Sequence, residues 1–505
     1  MRLFRSSLWN LLGGVVPAIA AFITVPLVVG RLGDVHYGLL TLITSIVGYF
    51  ALLDVNATQG SVKYLAEFKS REDVPRMRQV FCLGMGLYLV IGAVGGVAIA
   101  VFAEPLATRV FNVPAALHDT AVQALRFGGV AFFFAQLQVY LLSVPQSVNR
   151  FDLSARSEVV FGSLASVSTV LIVLAGGGIV EIMAARAALA ACNVLVLSRT
   201  AVLLLPDLRL AWPGREIVRK LMSFSMYSYL SRFANVTYTN ADKLLIAAFV
   251  DMRALALYSV PYLLINRIYS LTYRLGAVML PEASRLDAIG QRDELRRKYL
   301  MAARYILFIN TAIAVLLLAL GRELLLHWAG PSFGAEAALI LAILVTGALI
   351  ESSSNLPSLV NDGMGRPANT GIFAAVRALF GLGAAWVAVQ SHGILGVAWA
   401  QLAVAVLMVS TFLVWVHRRV LPATLGDYLR VAVLPCLLPW LVACVAAYAG
   451  VNRAPMPLPW MFGLALAAVL LLLVYGWWVV LSAEHRAVVV AAAQGRLQTL
   501  RTRRA

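Results

Sequence analysis

Hydropathy along this chain rises and falls like the rungs of a ladder. Apolar stretches of the ~20 residues that cross a bilayer recur about fourteen times. They lie near 8–29, 38–64, 81–103, 121–145, 159–177, 182–205, 221–250, 255–280, 301–320, 336–360, 370–390, 396–416, 431–449 and 459–482. The stretch from Glu351 to Asn355 is polar and precedes Pro357, so the tenth span is expected either to break there and line a cavity or to use its hydroxyls to satisfy freed backbone groups. The loops are short, none much beyond twenty residues by an approximate count, which leaves no room for a soluble domain on either face. The pattern predicts an all-α polytopic membrane protein.

Composition agrees, at 61% hydrophobic and 13% charged residues, against ~25% charged in soluble domains. A net charge of +17 invites a nucleic-acid reading, but the basic residues sit in short loops, where they set topology. Lys69, Arg71, Arg76, Arg78, Arg150, Arg156, Arg215, Arg219, Lys220, Arg292, Arg296, Arg297 and Lys298 fall on one side. Both termini are therefore expected in the cytoplasm, and the basic 483–505 tail on anionic lipid. The start resembles a signal peptide, with Arg2, Arg5 and Ala18-Ile19-Ala20, but the apolar run continues to Val29, so a retained first span is expected. Cys82, Cys192, Cys436 and Cys444 lie in apolar runs without metal-like spacing and read as small buried hydrophobes. No Walker A motif, nucleophile elbow or HExxH is present, so neither a cofactor nor a metal is expected.

Chemistry concentrates in the cations inside spans. Arg232, Lys243, Arg267, Arg274 and Arg377 interrupt apolar runs, each at a cost of ~2.5–3.5 kcal/mol near the bilayer centre. In the eighth span, Ser259, Tyr262, Asn266, Arg267, Ser270, Tyr273 and Arg274 share one face, and Val260, Pro261, Leu264, Ile265, Ile268, Leu271 and Leu275 the other. Such a helix is expected to border lipid on one side and an interior on the other. Arg267 and Arg274 stand ~10 Å apart along the axis, a reach suited to a diphosphate. Tyr229, Tyr262, Tyr269, Tyr273, Asn266 and Asn10 offer sugar or polar contacts. In the seventh span Ser225, Ser228, Arg232, Thr239 and Lys243 follow one stripe. The competing reading pairs these cations with Asp54, Asp242 or Glu351, which lock helices together; the same acids are candidate coupling sites. Cations outnumber deep acids, so a mobile anion is the expected counter-charge. Arg126 and Arg186, near helix ends, are expected to snorkel. Gly92 and Gly96 form a small-xxx-small pair expected at a close helix contact.

Two segments resemble one another, VVGRLGDVHYGLLTL at 28–42 and IAAFVDMRALALYSVPYL at 246–263, with Tyr37 matching Tyr258. With six spans between them, the two halves are expected to run in the same orientation. This divides the chain into 1–205, a cytoplasmic linker at 206–220, 221–417, an extra pair of spans within 431–482, and the tail.

The opening residues 10–68 are similar to bacterial polysaccharide and O-antigen (Wzx-type) flippases. The resemblance rests on Asn10, Gly13, Pro26, the turn Leu32, Gly33, Tyr37, Gly38, then Leu52, Leu53, Asp54, and the close Lys63, Tyr64, Ala66, Glu67. Asp242, Lys243, Tyr258 and Pro281-Glu282 resemble second-half elements, whereas a glycine that commonly follows the aspartate region is missing at Asp54-Val55-Asn56. The family belongs to the multidrug/oligosaccharidyl-lipid/polysaccharide exporter superfamily. The resemblance implies two six-helix lobes in a V that opens alternately to each side, plus two C-terminal helices. It implies translocation of an undecaprenyl-diphosphate-linked oligosaccharide across the bacterial inner membrane by a monomer, upstream of a polysaccharide polymerase or ligase. Lipid II flippases and multidrug antiporters of that superfamily are the alternatives. The short loops and missing paired carboxylates speak against a membrane glycosyltransferase.

Overall fold

The computed structural model describes residues 22–54, 57–205, 209–450, 456–487 and 490–491, with the side chains of 223–228, 230–231, 267–268, 271 and 449–450 excepted. Asn10, Gly13 and Pro17, the start of the first span, the first three residues of the 206–220 linker and the end of the basic tail lie outside these residues. The described residues form α1 (Phe22–Leu32), α2 (Asp34–Tyr49), α3 (Ala57–Ser70), α4 (Val74–Val101), α5 (His118–Leu141), α6 (Phe151–Leu174), α7 (Ile179–Leu204) and α8 (Arg215–Phe249). They continue with α9 (Met252–Gly276), α10 (Met279–Ala288), α11 (Arg292–Trp328), α12 (Ala335–Gly363), α13 (Pro367–Arg419), α14 (Leu434–Gly450) and α15 (Leu458–Tyr475). Among the described residues, ten helical segments are long and apolar enough to cross a membrane. One of them, α13, is two helices joined at Gly393, whose φ of 55° suits glycine. The long helices α8 and α9 fall short of that apolar standard, and they are the two that carry the predicted cationic stripes.

The chain divides into two compact units. One comprises Met1–Arg267, Trp328–Ile340 and Gly371–Val404; the other comprises Ile268–His327, Leu341–Thr370 and Ala405–Ala505.

In the first unit, α4 shows how lipid inverts the usual rule. Val90, Val94, Val97 and Val101 are exposed, while Gly92, Gly95 and Gly96 turn inward. The inward glycines let α5 approach. A Cβ at Gly96 would stand 2.7 Å from the Gly129 carbonyl oxygen, and one at Gly129 would stand 2.5 Å from the Gly96 carbonyl. The small-xxx-small pair is thus a close helix contact, driven by packing where lipid offers no hydrophobic gain. Leu65, Phe68, Met77, Val80, Leu141, Val144, Leu197 and Ile217 form a core joining α3, α4, α5, α7 and α8.

One expectation is corrected. The 38–64 span is not one helix: α2 tightens into a 3-10 turn at Phe50–Leu53, Asp54 is extended, and α3 resumes at Ala57. Of the two readings of 351–355, the structure shows the second, since the stretch is unbroken within α12. Ser352, Ser353 and Ser354 donate back to the carbonyls of Leu349, Ile350 and Glu351, so the hydroxyls satisfy helix backbone instead of interrupting it. The cysteines also differ from expectation, since Cys192 is exposed and only Cys436 is fully buried. An exposed cysteine on an apolar helix faces the same surroundings as its valine and leucine neighbours.

In the second unit, prolines inside helices are matched by tyrosines. Pro357 has no N–H for the Ser353 carbonyl four residues back, and the Tyr428 hydroxyl donates to that oxygen at 2.6 Å. Pro439 likewise frees the Pro435 carbonyl, and Tyr475 donates to it at 2.8 Å. Tyr428→Phe and Tyr475→Phe should each destabilise the protein by about 0.6–1.7 kcal/mol, the range for a membrane-buried hydrogen bond, measured by thermal unfolding in detergent.

At the surface of this unit, α10 is tied to α11 through Glu282. Hydrogen bonds from Arg285 and Lys298 lower its carboxyl from 4.5 to about 2. A lowered carboxylate contributes its stability in full above the ordinary value and loses it as pH falls toward about 2. Protection of α10 amides, exchange measured relative to the intrinsic rate at each pH, should therefore fall between pH 5 and 2, and Glu282→Gln should flatten that dependence.

Candidate functional site

In the first unit, α1, α2, α6, α7, α8 and α9 line a cavity of about 620 Å³, within the usual size of small-molecule sites. Its lining recurs at helical spacing. α2 gives Tyr37, Thr41, Thr44 and Ser45; α6 gives Ser166 and Thr169; α8 gives Thr239, Asn240 and Lys243; α9 gives Ser259, Tyr262 and Asn266; α1 adds Thr24, and α7 adds Arg186. Hydroxyls and carboxamides dominate, with two cations and no carboxylate among the described lining residues.

Lys243 is held from behind. Asp242 is buried, accepts the Tyr258 hydroxyl at 2.6 Å and the Lys243 backbone N–H at 2.9 Å. The Lys243 ammonium donates to the Thr239 carbonyl and lies 4.0 Å from the centre of the Tyr262 ring, a cation–π arrangement. Tyr258 and Tyr262 stack one turn apart on α9. The end of α8 is capped from afar: the Asn112 side chain donates to the carbonyls of Ala248 and Val250, and its backbone N–H to that of Ala247. At Gly38 a side chain would run into the Met252 carbonyl, so α2 closes directly against the start of α9.

A second polar group occupies the break in α2. The Asp54 side chain is fully buried, receives the Tyr88 hydroxyl at 2.5 Å and pairs with Arg232 at 2.9 Å. The same stretch of α8 serves the carbonyls that the break frees. Tyr229 donates to Leu52 at 3.0 Å, and Arg232 reaches Ala51 at 3.5 Å. The pairing reading thus holds for Arg232, which locks α8 to the end of α2.

The other sequence-predicted residues divide as follows. Lys243, Tyr262 and Asn266 meet in the cavity. Arg377, on α13, stacks 4.4 Å from the Tyr238 ring centre on α8. Asp242 sits behind the cavity wall. Tyr269, Tyr273, Arg274 and Glu351 belong to the second unit, where Tyr269 is buried and donates to the Asn310 carbonyl, while Tyr273 and Arg274 are exposed. The side chains of Ser225, Ser228 and Arg267, like Asn10, lie outside the described residues. On α9, Val260, Leu264 and Ile265 are buried against protein and Asn266, Ser270, Tyr273 and Arg274 are exposed, while Ser259 of the polar face is buried and Leu275 of the apolar face is exposed.

Arg186 was expected to snorkel and instead lines the cavity. The sequence held the signal. Arg186 lies two turns, roughly 10 Å, inside a helix that begins at Ile179, deep for a side chain seeking the interface.

A many-helix membrane fold around a polar, cation-bearing cavity defines a transporter. A family model described as polysaccharide biosynthesis protein matches residues 28–333, and the chain belongs to that family. A Shigella flexneri protein assigned as an O-antigen transporter is 17% identical over 422 residues, which cover 83% of this chain and 98% of its own. Among solved structures, the lipid II flippase MurJ in an inward closed conformation aligns over 93% of this chain and 98% of its own, with a TM-score of 0.71 and 16% identity. An inward-facing multidrug resistance MATE family transporter of the MOP superfamily aligns over 82% of this chain and 94% of its own, with a TM-score of 0.67 and 15% identity. The fold is that of these all-α transporters.

Removing one partner of the Asp54–Arg232 pair strands the other. Arg232→Ala should destabilise by about 3 kcal/mol, the low end for a buried pair, since 27% of its side chain is exposed. Asp54→Asn combined with Arg232→Gln should recover most of that loss in detergent unfolding.

Proposed function

We propose that this protein flips a polyprenyl-diphosphate-linked oligosaccharide, an O-antigen or capsular or exopolysaccharide repeat unit, from the cytoplasmic to the outer leaflet of the bacterial inner membrane. The observation that carries this reading is a cavity with two cations, abundant hydroxyls and no described carboxylate, in a member of a polysaccharide biosynthesis family. Arg267, Arg274 and Arg377 hold the diphosphate, joined by Arg232 when Asp54 lets it go. Lys243 serves the cavity, and the tyrosines and asparagines contact sugar. Asp54, Asp242 and Glu351 are the acids available for coupling. Lobes at 1–205 and 221–417, joined by the 206–220 linker, rock to alternate access. The 431–482 helices guide the lipid tail, and both termini and the 483–505 tail stay cytoplasmic. A monomer acting ahead of a polymerase or ligase completes the proposal.

A lipid II flippase is the second reading, favoured by the extent of the structural match to MurJ. A multidrug antiporter for cationic drugs is disfavoured by the cavity's positive lining.

The test is a deletion strain in which lipid-linked oligosaccharide is quantified on each leaflet. Accumulation on the cytoplasmic side with loss of surface polysaccharide is the expected outcome, whereas lysis points to lipid II. Normal polysaccharide without a trapped intermediate overturns the flippase reading. In the same strain, Arg267→Ala and Arg274→Ala should insert normally yet fail to restore export; full complementation by both removes them from the mechanism.

A further inference from the structure

The cavity of the first unit is a donor-rich site in want of an acceptor. Arg186 carries five N–H donors in a planar fork and accepts nothing. It makes no ion pair among the described residues. Lys243 makes no ion pair within 4 Å among the described residues either, although the negative charge of neighbouring Asp242, whose oxygens accept from the Tyr258 hydroxyl and the Lys243 backbone, balances part of its own. Beside them, Ser259 is 3% exposed, lines the same cavity, and its hydroxyl has no hydrogen-bond partner among the described residues. A buried polar atom left without a partner is uncommon in native proteins and calls for one.

A neutral sugar donates and accepts in equal measure through its hydroxyls and leaves the Arg186 charge uncompensated. An oxyanion offsets it, and a carboxylate matches the guanidinium fork bidentately. The hydroxyls and carboxamides around it suit ring hydroxyls in either hydrogen-bonding sense.

We propose that this cavity selects glycans in which a sugar itself bears a negative charge, as a uronate carboxylate does, with Arg186 as its principal ligand and Lys243 and Ser259 beside it. The inference rests on the flippase reading above and adds the class of glycan. Its chemistry, an oxyanion on a glycosyl lipid, has two sources, the sugar and the diphosphate, and the experiment separates them.

Purified protein is reconstituted into proteoliposomes with two undecaprenyl-diphosphate disaccharides that differ only at one C6, glucuronic acid in one and glucose in the other. The readout is the ratio of their initial flipping rates at limiting substrate. Wild-type protein should favour the acidic glycan by roughly tenfold or more, the scale of one charge-assisted hydrogen bond. Arg186→Gln should bring the ratio to about one, and Arg186→Lys, which keeps the charge but loses the fork, should leave an intermediate ratio. A wild-type ratio near one overturns the proposal. So does an Arg186→Gln protein that slows on both glycans by the same factor, since its anion is then the shared diphosphate. Wild-type protein that moves neither glycan overturns the flippase reading, and this inference falls with it.

Discussion

A polar group freed inside a bilayer has no water to turn to, and the architecture of this protein follows from that constraint. Continuous helices satisfy it locally, so each departure from a continuous helix needs a partner supplied from elsewhere. The end of α2 has Tyr229 and Arg232 on the carbonyls of Leu52 and Ala51. Pro357 and Pro439 have Tyr428 and Tyr475 on the carbonyls they release. The C-terminus of α8 has Asn112. Tyrosine recurs because its ring packs like a hydrophobe while its hydroxyl reaches a carbonyl across a helix interface.

The same constraint sorts the charges. Asp54 and Asp242 are buried and each receives a tyrosine hydroxyl, from Tyr88 and Tyr258 respectively. Asp242 stands behind the cavity wall and Asp54 at the break in α2, whereas Arg186 and Lys243 line the cavity. A carboxylate desolvated in this way costs several kcal/mol unless it is hydrogen-bonded, which is why both acids come with a phenol.

This explains what could be read from the chain alone. The spans, the cationic character of the seventh and eighth segments, and the glycine contact of α4 rest on periodicity and composition, which every residue of a helix shares. The break at Asp54 was hidden because its carbonyls are capped by residues about 180 positions away. Val55-Asn56 in place of a glycine marked the place without showing the outcome. At Pro357 the sequence left two outcomes open, and back-bonding hydroxyls and Tyr428, 75 residues on, keep α12 whole. The cavity was half legible. Lys243, Tyr262 and Asn266 stood out on polar stripes, whereas the threonines of α2 and Ser166 and Thr169 of α6 are ordinary in apolar helices and gain meaning only when they converge.

Arg232 and Arg186 show why counting charges misjudges a membrane site. Both are arginines inside apolar helices, and charge balance alone treats them alike. Geometry separates them: Arg232 spends its guanidinium on Asp54 and a freed carbonyl, so its charge is matched within the protein. Arg186 faces a cavity of hydroxyls that can solvate it but cannot neutralise it. An arginine costs several kcal/mol to hold in a membrane, and the hydroxyls offset part of that. The remainder falls when an anion arrives, so the binding energy for such a ligand is stored in the folded protein before the ligand enters. Preorganised charge of this kind discriminates by sign, because a cation in the same cavity would add to the repulsion instead of relieving it.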